Sequence, residues 1–351
     1  MLARILIVCG VLATAAWPIG AAEAPRMPSG RPDLSGTYDI ATLTPLQRPE
    51  RYGDKLTLTD EEAAEVARKE AEYIAGRNAP TDPNRAAPPK GGDGSPGAAG
   101  NVGGYNAFWI DRGTGGYKID GKWRTSIITD PENGRRPPLT ADGKRAAALR
   151  AKMYRKNTGV AWWVKEGLDP GPYDDPELRP LAERCLLGFG STAGPPMLPV
   201  LYNNLKRIVQ TEDHVMILVE MVHDARIVRM NAEHAPPDVR SWLGDSVGRW
   251  EGDTLVVDTT NFSDRPALSG ATRNLHVVER FTRIDSDTLL YQFTVEDPTV
   301  WTTPWNGEYI WPASESRVYE YACHEANYSF GGILRGARIL EADLRSESDD
   351  D

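Results

Sequence analysis

From about Leu198 onward, apolar and polar residues alternate, which is the two-residue period of a strand with one buried face. Lys206–Glu212, Val215–Val222, Ile227–Met230, Ser246–Trp250, Thr254–Thr260, His276–Ile284, Thr288–Val295 and Arg317–Ala322 each read as a strand between turn residues. Glu251-Gly252-Asp253 and Asp285-Ser286-Asp287 are tight-turn signals. A long run of successive antiparallel strands has two edges to protect, and closing the sheet removes both. The pattern therefore predicts a mainly β protein: an antiparallel meander over residues 198–338 that closes into a lipocalin-like barrel, with a β-sandwich as the alternative.

The preceding part, residues 23–197, has a different rhythm. Pro32–Ile40 reads as an opening strand. Thr59 or Asp60 can cap a helix whose first turn is acidic and whose Ala63, Val66, Ala67 and Ile74 recur at helical spacing up to Gly76. A second helix is predicted from Thr140 to Asn157. Between them, Pro80–Gly104 holds 5 Pro and 7 Gly with almost nothing apolar, so a flexible loop is expected there. At the start of the chain, Arg4 precedes an apolar run, Ile5–Ala16, followed by small residues. That run is short of the ~20 residues a spanning helix needs, and the order of parts predicts a secretory signal peptide over residues 1–22. Residues 339–351 are expected to form a solvated acidic tail.

Composition narrows the partners. Forty Lys and Arg against fifty Asp and Glu give a net charge of −10 and no unopposed basic run, which argues against nucleic acid. A mean hydropathy of −0.46 is too polar for a polytopic membrane protein. If the signal is removed, Cys9 leaves with it, and Cys185 and Cys323 remain in an oxidising compartment, where a disulfide between them is expected. The localisation implied is periplasmic or secreted.

Several motifs occur in order along the chain: Pro32-Asp33-Leu34-Ser35-Gly36, Arg124-Thr125-Ser126-Ile127-Ile128-Thr129-Asp130-Pro131, Glu183-Arg184-Cys185-Leu186, Glu220-Met221-Val222-His223-Asp224-Ala225-Arg226, Gly244–Val257 and Tyr321-Ala322-Cys323-His324-Glu325. In these the chain resembles a large family of exported bacterial proteins of unassigned function. The resemblance implies a bacterial source and supports the cysteine pairing, since both cysteines lie in shared motifs. It implies no reaction.

Candidate chemistry is concentrated in two places. Glu220 sits in an apolar stretch, where a carboxylate must be paired or have a raised pKa. A two-residue turn at Asp224-Ala225 would put Glu220 across from Arg229 and His223 across from Arg226. Either this is a structural ion pair, or His223 is a general acid or base with Glu220 beside it and Arg226 stabilising an oxyanion. A metal held by Glu220, His223 and His234 is a weaker third possibility, since no His-x-His or His-x-x-x-His spacing occurs.

The second place is the hairpin His276–Val295. Pairing Ile284 with Leu289 would put Arg280 and Tyr291 on one apolar face, with His276 opposite Asp297 at its end. A three-residue turn would instead turn Glu279, Phe281 and Arg283 inward. Ser246 lies in Gly244-Asp245-Ser246-Val247-Gly248, which runs into a hairpin rather than a helix and so lacks the setting of a hydrolase nucleophile.

The resulting expectation is a periplasmic acid–base enzyme, a lyase, hydratase or isomerase needing no cofactor, acting on a small apolar or aromatic compound in a barrel cavity. His223, Glu220 and Arg226 would be catalytic, and Arg280, His276, Asp297, Tyr291 and Trp305 would bind substrate. A non-catalytic carrier or sensor of a small apolar ligand is the alternative.

Overall fold

A computed structural model describes residues 24–80, 84, 86, 110–155 and 158–349. The predicted signal peptide and nearly all of the predicted Gly/Pro loop lie outside the described residues. In chain order the strands are β1 (Gly36–Asp39), β2 (Thr57–Leu58), β3 (Lys118–Ile119), β4 (Lys122–Arg124), β5 (Ile128–Asp130), β6 (Leu205–Gln210) and β7 (His214–Val219). They continue with β8 (Ala225–Met230), β9 (Asp245–Glu251), β10 (Thr254–Thr260), β11 (His276–Arg283), β12 (Thr288–Glu296) and β13 (Trp305–Pro312). The helices are α1 (Asp60–Arg77), α2 (Ala141–Met153), α3 (Trp162–Lys165), α4 (Cys323–Ala326) and α5 (Tyr328–Asp349).

Ten strands form one curled sheet, a half-barrel in the order β1-β6-β7-β8-β9-β10-β11-β12-β13-β5, and β2, β4 and β3 form a small separate sheet. The curl brings the first strand to the far end of β13. An isolated bridge joins Tyr38 to Ala313, and the Ser314 amide donates to the Thr37 carbonyl at 2.8 Å. The mainly β prediction is met. One pairing departs from the meander: β8 and β9 are parallel, because the chain crosses between them through residues 231–244 rather than turning back at once. Two strand assignments also move. β13 is a full strand whose Trp305, Tyr309 and Trp311 are buried, whereas Arg317–Ala322 is irregular. Trp305-x-Gly307-x-Tyr309-x-Trp311 has the alternation of a strand, since Gly307 gives way to the ring of Phe293 packed on it.

The interior of the curl is solid. Trp305, Trp311, Tyr38, Tyr291, Tyr309 and Phe281 are all buried, with ring centroids of Tyr291 and Trp311 4.9 Å apart and those of Phe281 and Tyr291 5.0 Å apart. The segment around Met197 enters this core: its amide donates to the Tyr291 hydroxyl at 2.9 Å and its carbonyl accepts from the Tyr309 hydroxyl at 2.7 Å.

α1 begins with the expected capping box, Thr59 accepting from the Glu62 amide while Glu62 accepts from the Thr59 amide. α2 is capped by Thr140. The stretch read as an acidic tail continues α5, which packs Ala337, Leu340 and Leu344 against Trp162 and Trp163. Cys185 and Cys323 are joined by a disulfide. No helix among the described residues is long and apolar enough to cross a membrane.

Candidate functional site

The two hairpin registers decide which predicted residues meet. In β11 and β12, Arg283 pairs with Leu289 and His276 with Glu296. This is one residue away from the register that would gather Arg280 with Tyr291, and a one-residue slip reverses every side chain. Val277, Glu279 and Phe281 therefore face the core, as the three-residue turn implied. Arg280 lies outside and pairs with Glu251 at 2.8 Å. His276 is also outside, on Asp258 at 3.1 Å rather than on Asp297. Asp297 is buried and accepts from the Thr272 amide and hydroxyl at 2.7 and 2.9 Å and from the Thr299 hydroxyl at 2.6 Å, so it ties loops together. Tyr291 and Trp305 are core residues. The five predicted substrate-binding side chains do not line one cavity.

The β7–β8 connection also differs from the two-residue turn. Ile217 pairs with Arg226 and His214 with Arg229, which leaves residues 220–224 to form the connection and separates Glu220 from Arg229. Arg229 binds Asp245 instead, at 2.9 Å. Arg226 turns into the core and makes a paired hydrogen bond to Glu279, 2.6 and 2.9 Å, with both side chains essentially without solvent contact. The Tyr291 hydroxyl donates to Glu279 at 2.8 Å. Both terminal guanidinium nitrogens are spent on the carboxylate, with only Nε lacking a partner among the described residues, so Arg226 is a structural ion-pair partner rather than an oxyanion donor.

Glu220 and His223 do come together with two groups that the sequence reading missed. Glu220 starts a short 3₁₀ turn, Met221–His223, in the β7–β8 connection, and its amide donates to the Leu205 carbonyl at 3.1 Å. Lys206, the next residue of β6, points inward and is fully buried, and its Nζ has no hydrogen-bond partner among the described residues. Burial pushes this amine down to about 7, against the opposing charges of Glu220, Asp224 and Asp39. Burial likewise pushes the Asp224 carboxyl up to about 6, and its Oδ2 is unpartnered. The sequence does carry one signal for Lys206: it has the same strand parity as Ile208 and Gln210, both buried.

Backbone strain marks the same turn. Val222 and His223 have φ of 61° and 47°, and a β-branched residue in the left-handed region costs on the order of 1–3 kcal/mol. A strap formed by residues 313–322 lies over it. The Tyr319 amide donates to Glu220 Oε1 at 3.1 Å, and His223 Nδ1 donates to the Tyr321 carbonyl at 3.0 Å. Because that carbonyl only accepts, the hydrogen is on Nδ1. The strap ends at Cys323, where the disulfide anchors it to Cys185. A cavity of about 380 Å³ lies beside this anchor, lined by Arg184, Leu186, His324, Asn327 and Phe330.

A second polar chain runs over the outer face of the sheet. His276 Nε2 lies 3.1 Å from Asp258, Asp258 lies 3.0 Å from His234 Nε2, and His234 Nδ1 lies 3.0 Å from Asp245. The hydrogen bond to Asp258 raises the His276 pKa, and the same bond holds Asp258 below the ordinary carboxylate range. His234 is thus committed to Asp245 and Asp258 and does not join Glu220 and His223. Among the described residues no group of three or more His, Cys, Asp or Glu is placed to hold a metal ion.

No family model, curated protein or solved structure matches the chain.

Proposed function

We propose that the protein is an acid–base enzyme of the lyase, hydratase or isomerase type, working outside the cytoplasm on a small carbonyl-bearing or unsaturated compound. Its centre is the β7–β8 connection beside β6, where Lys206, Glu220, His223 and Asp224 converge. One observation carries this reading: Lys206 is a fully buried amine with no hydrogen-bond partner among the described residues, and it titrates near neutrality. Ionisable groups held in unfavourable surroundings are characteristic of functional sites, because a base must be unprotonated at working pH.

In this reading the neutral Lys206 amine takes a proton from a carbon next to a carbonyl or double bond. Asp224, protonated below about 6, or the His223 imidazole returns a proton elsewhere on the substrate. Glu220 stabilises the ammonium formed on Lys206. The strap at residues 313–322 must move aside for substrate to enter, and the disulfide limits how far it travels. The Cys185–Cys323 bond supports the extracytoplasmic setting.

The test is proton exchange. Small ketones, keto acids and unsaturated acids are incubated with the protein in D₂O, and deuterium at carbon is followed by NMR. The expected result is exchange that rises with pH as Lys206 loses its proton and is lost in Lys206→Met. A folded wild type that exchanges no member of the panel, or a Lys206→Met variant as active as wild type, sinks the assignment.

A further inference from the structure

A cleft of about 440 Å³ opens between α2 and the loops at residues 269–270 and 299–301, and its lining includes Arg136, Leu139, Arg150, Ser269, Gly270 and Trp301. It shares no residue with the Lys206 centre. That volume is within the range of small-molecule sites, roughly 300–1,000 Å³. Its walls are pinned by backbone bonds: the Thr140 amide donates to the Val300 carbonyl at 2.9 Å, the Thr302 amide to the Pro138 carbonyl at 3.0 Å, and Leu139 bridges to Trp301. Gly143 completes the seam, because a Cβ there would stand 2.5 Å from the Val300 carbonyl oxygen. The cleft is preformed and does not depend on side chains finding a pose.

Its charge runs against that of the chain. In a protein of net charge −10, the cleft lining has two arginines and no carboxylate. Arg136 lies over two indoles, 5.3 Å from the Trp305 ring and 5.8 Å from the Trp301 ring. Its backbone amide is held by Gln47 Oε1 at 3.0 Å and one guanidinium nitrogen donates to the Ser269 carbonyl at 3.3 Å, while Nε is buried without a partner. Burial disfavours its charged form, and no acidic group among the described residues pairs with it to offset that. Arg150 reaches the same loop from α2, its Nη1 being 3.7 Å from where a Gly270 side chain would begin. Two guanidinium groups thus flank the 269–270 loop beside an apolar and aromatic wall of Leu139, Val300 and Trp301.

We propose that this cleft binds a small organic carboxylate with an apolar or aromatic body. The guanidinium fork matches the two oxygens of a carboxylate, which none of the described residues supplies there. The body of the ligand would lie on Leu139, Val300 and Trp301, with Arg136 held in place by its indole stack. A hydrophilic anion such as inorganic phosphate would leave that wall exposed, so it binds more weakly. The site is independent of the acid–base centre and stands or falls separately from it.

The experiment is calorimetric titration of the full chain with phenylacetate, benzoate and indole-3-acetate, alongside the matching amides and inorganic phosphate. Tryptophan fluorescence gives a second readout, because the ligand would sit on Trp301. Binding of at least one carboxylate is expected, with its amide weaker by about tenfold or more, since a hydrogen bond to a charged group is lost. Arg150→Gln alters an exposed helix position and is expected to fold normally while weakening binding by about tenfold. Arg136→Gln should abolish it. If Arg136→Gln fails to fold, Arg150→Gln decides the matter. No carboxylate bound at about 10 mM, equal affinity for acid and amide, or unchanged affinity in Arg150→Gln would each overturn the proposal.

Discussion

Arg226 and Glu279 meet inside the curled sheet as a buried pair, with Nη1 2.6 Å from one carboxylate oxygen and Nη2 2.9 Å from the other. A buried pair of this kind is costly to break by halves, because the surviving charge has nowhere to go. Glu279→Gln or Arg226→Met should each lower stability by about 3–5 kcal/mol, and the double variant Arg226→Met/Glu279→Leu should lose less than the sum of the single losses. Urea denaturation of the three variants measures this; additive losses would mean that the pair is not coupled.

Lys206 should destabilise the fold at neutral pH. It titrates at about 7 when folded and at 10.5 in an ordinary setting, so between those values the unfolded state binds the extra proton and stability rises with pH. Lys206→Met is therefore expected to be more stable than wild type at pH 7, by roughly 3–5 kcal/mol, with the gain shrinking toward pH 10. Asp224 has the opposite slope: folded at about 6 against 3.8, it makes stability fall as pH rises through that interval. Denaturation curves at a series of pH values read both. A Lys206→Met variant less stable than wild type at pH 7 would show that the amine is not penalised by burial.

The outer-face chain predicts a different pH response. His276 has a raised pKa through its bond to Asp258, so its contribution is complete below the ordinary histidine value and lost as pH rises through the raised one. Asp258 is depressed, so its contribution is present above the ordinary carboxylate value and lost as pH falls through the lowered one. His276→Gln should lower Tm near pH 6 and leave it nearly unchanged near pH 9. An equal effect at both pH values would place the role of His276 in packing rather than in charge.

Removing the disulfide should be felt twice. Cys185 and Cys323 are 138 residues apart, and closing a loop of that length is worth roughly 4–5 kcal/mol in the chain-entropy model. The bond also anchors the strap whose Tyr319 amide and Tyr321 carbonyl hold Glu220 and His223. Hydrogen exchange of a Cys185→Ser/Cys323→Ser variant should show faster exchange at Tyr319, beyond the general rise from lost stability. Protection at Tyr319 that falls only in step with the core would mean that the strap is held without the anchor.

Much of this molecule was open to reading from its residues. The alternation from β6 onward located seven of the sheet's strands, because a one-sided sheet must bury every second side chain whatever its neighbours are. The capping box at Thr59 and Glu62 set the start of α1, since the cap is satisfied within four residues. Two cysteines in the part of the chain beyond the predicted signal gave the disulfide. These are local relations or simple counts, and they survive without knowledge of the rest of the chain.

Register and pairing direction were decided only in three dimensions. Whether Arg280 or Glu279 faces the core depends on one residue in the turn after Arg283, and the choice that buries Phe281 against Tyr291 and Trp311 packs the aromatic core. The parallel β8–β9 pairing depends on a crossover whose sequence has no periodic signal. The gathering of Lys206 with Glu220 and Asp224, and of Arg136 with Arg150, joins residues from elements separated along the chain. Such contacts are set by how the sheet curls and what the loops cover, and that is a property of packing over the whole chain rather than of any stretch of it.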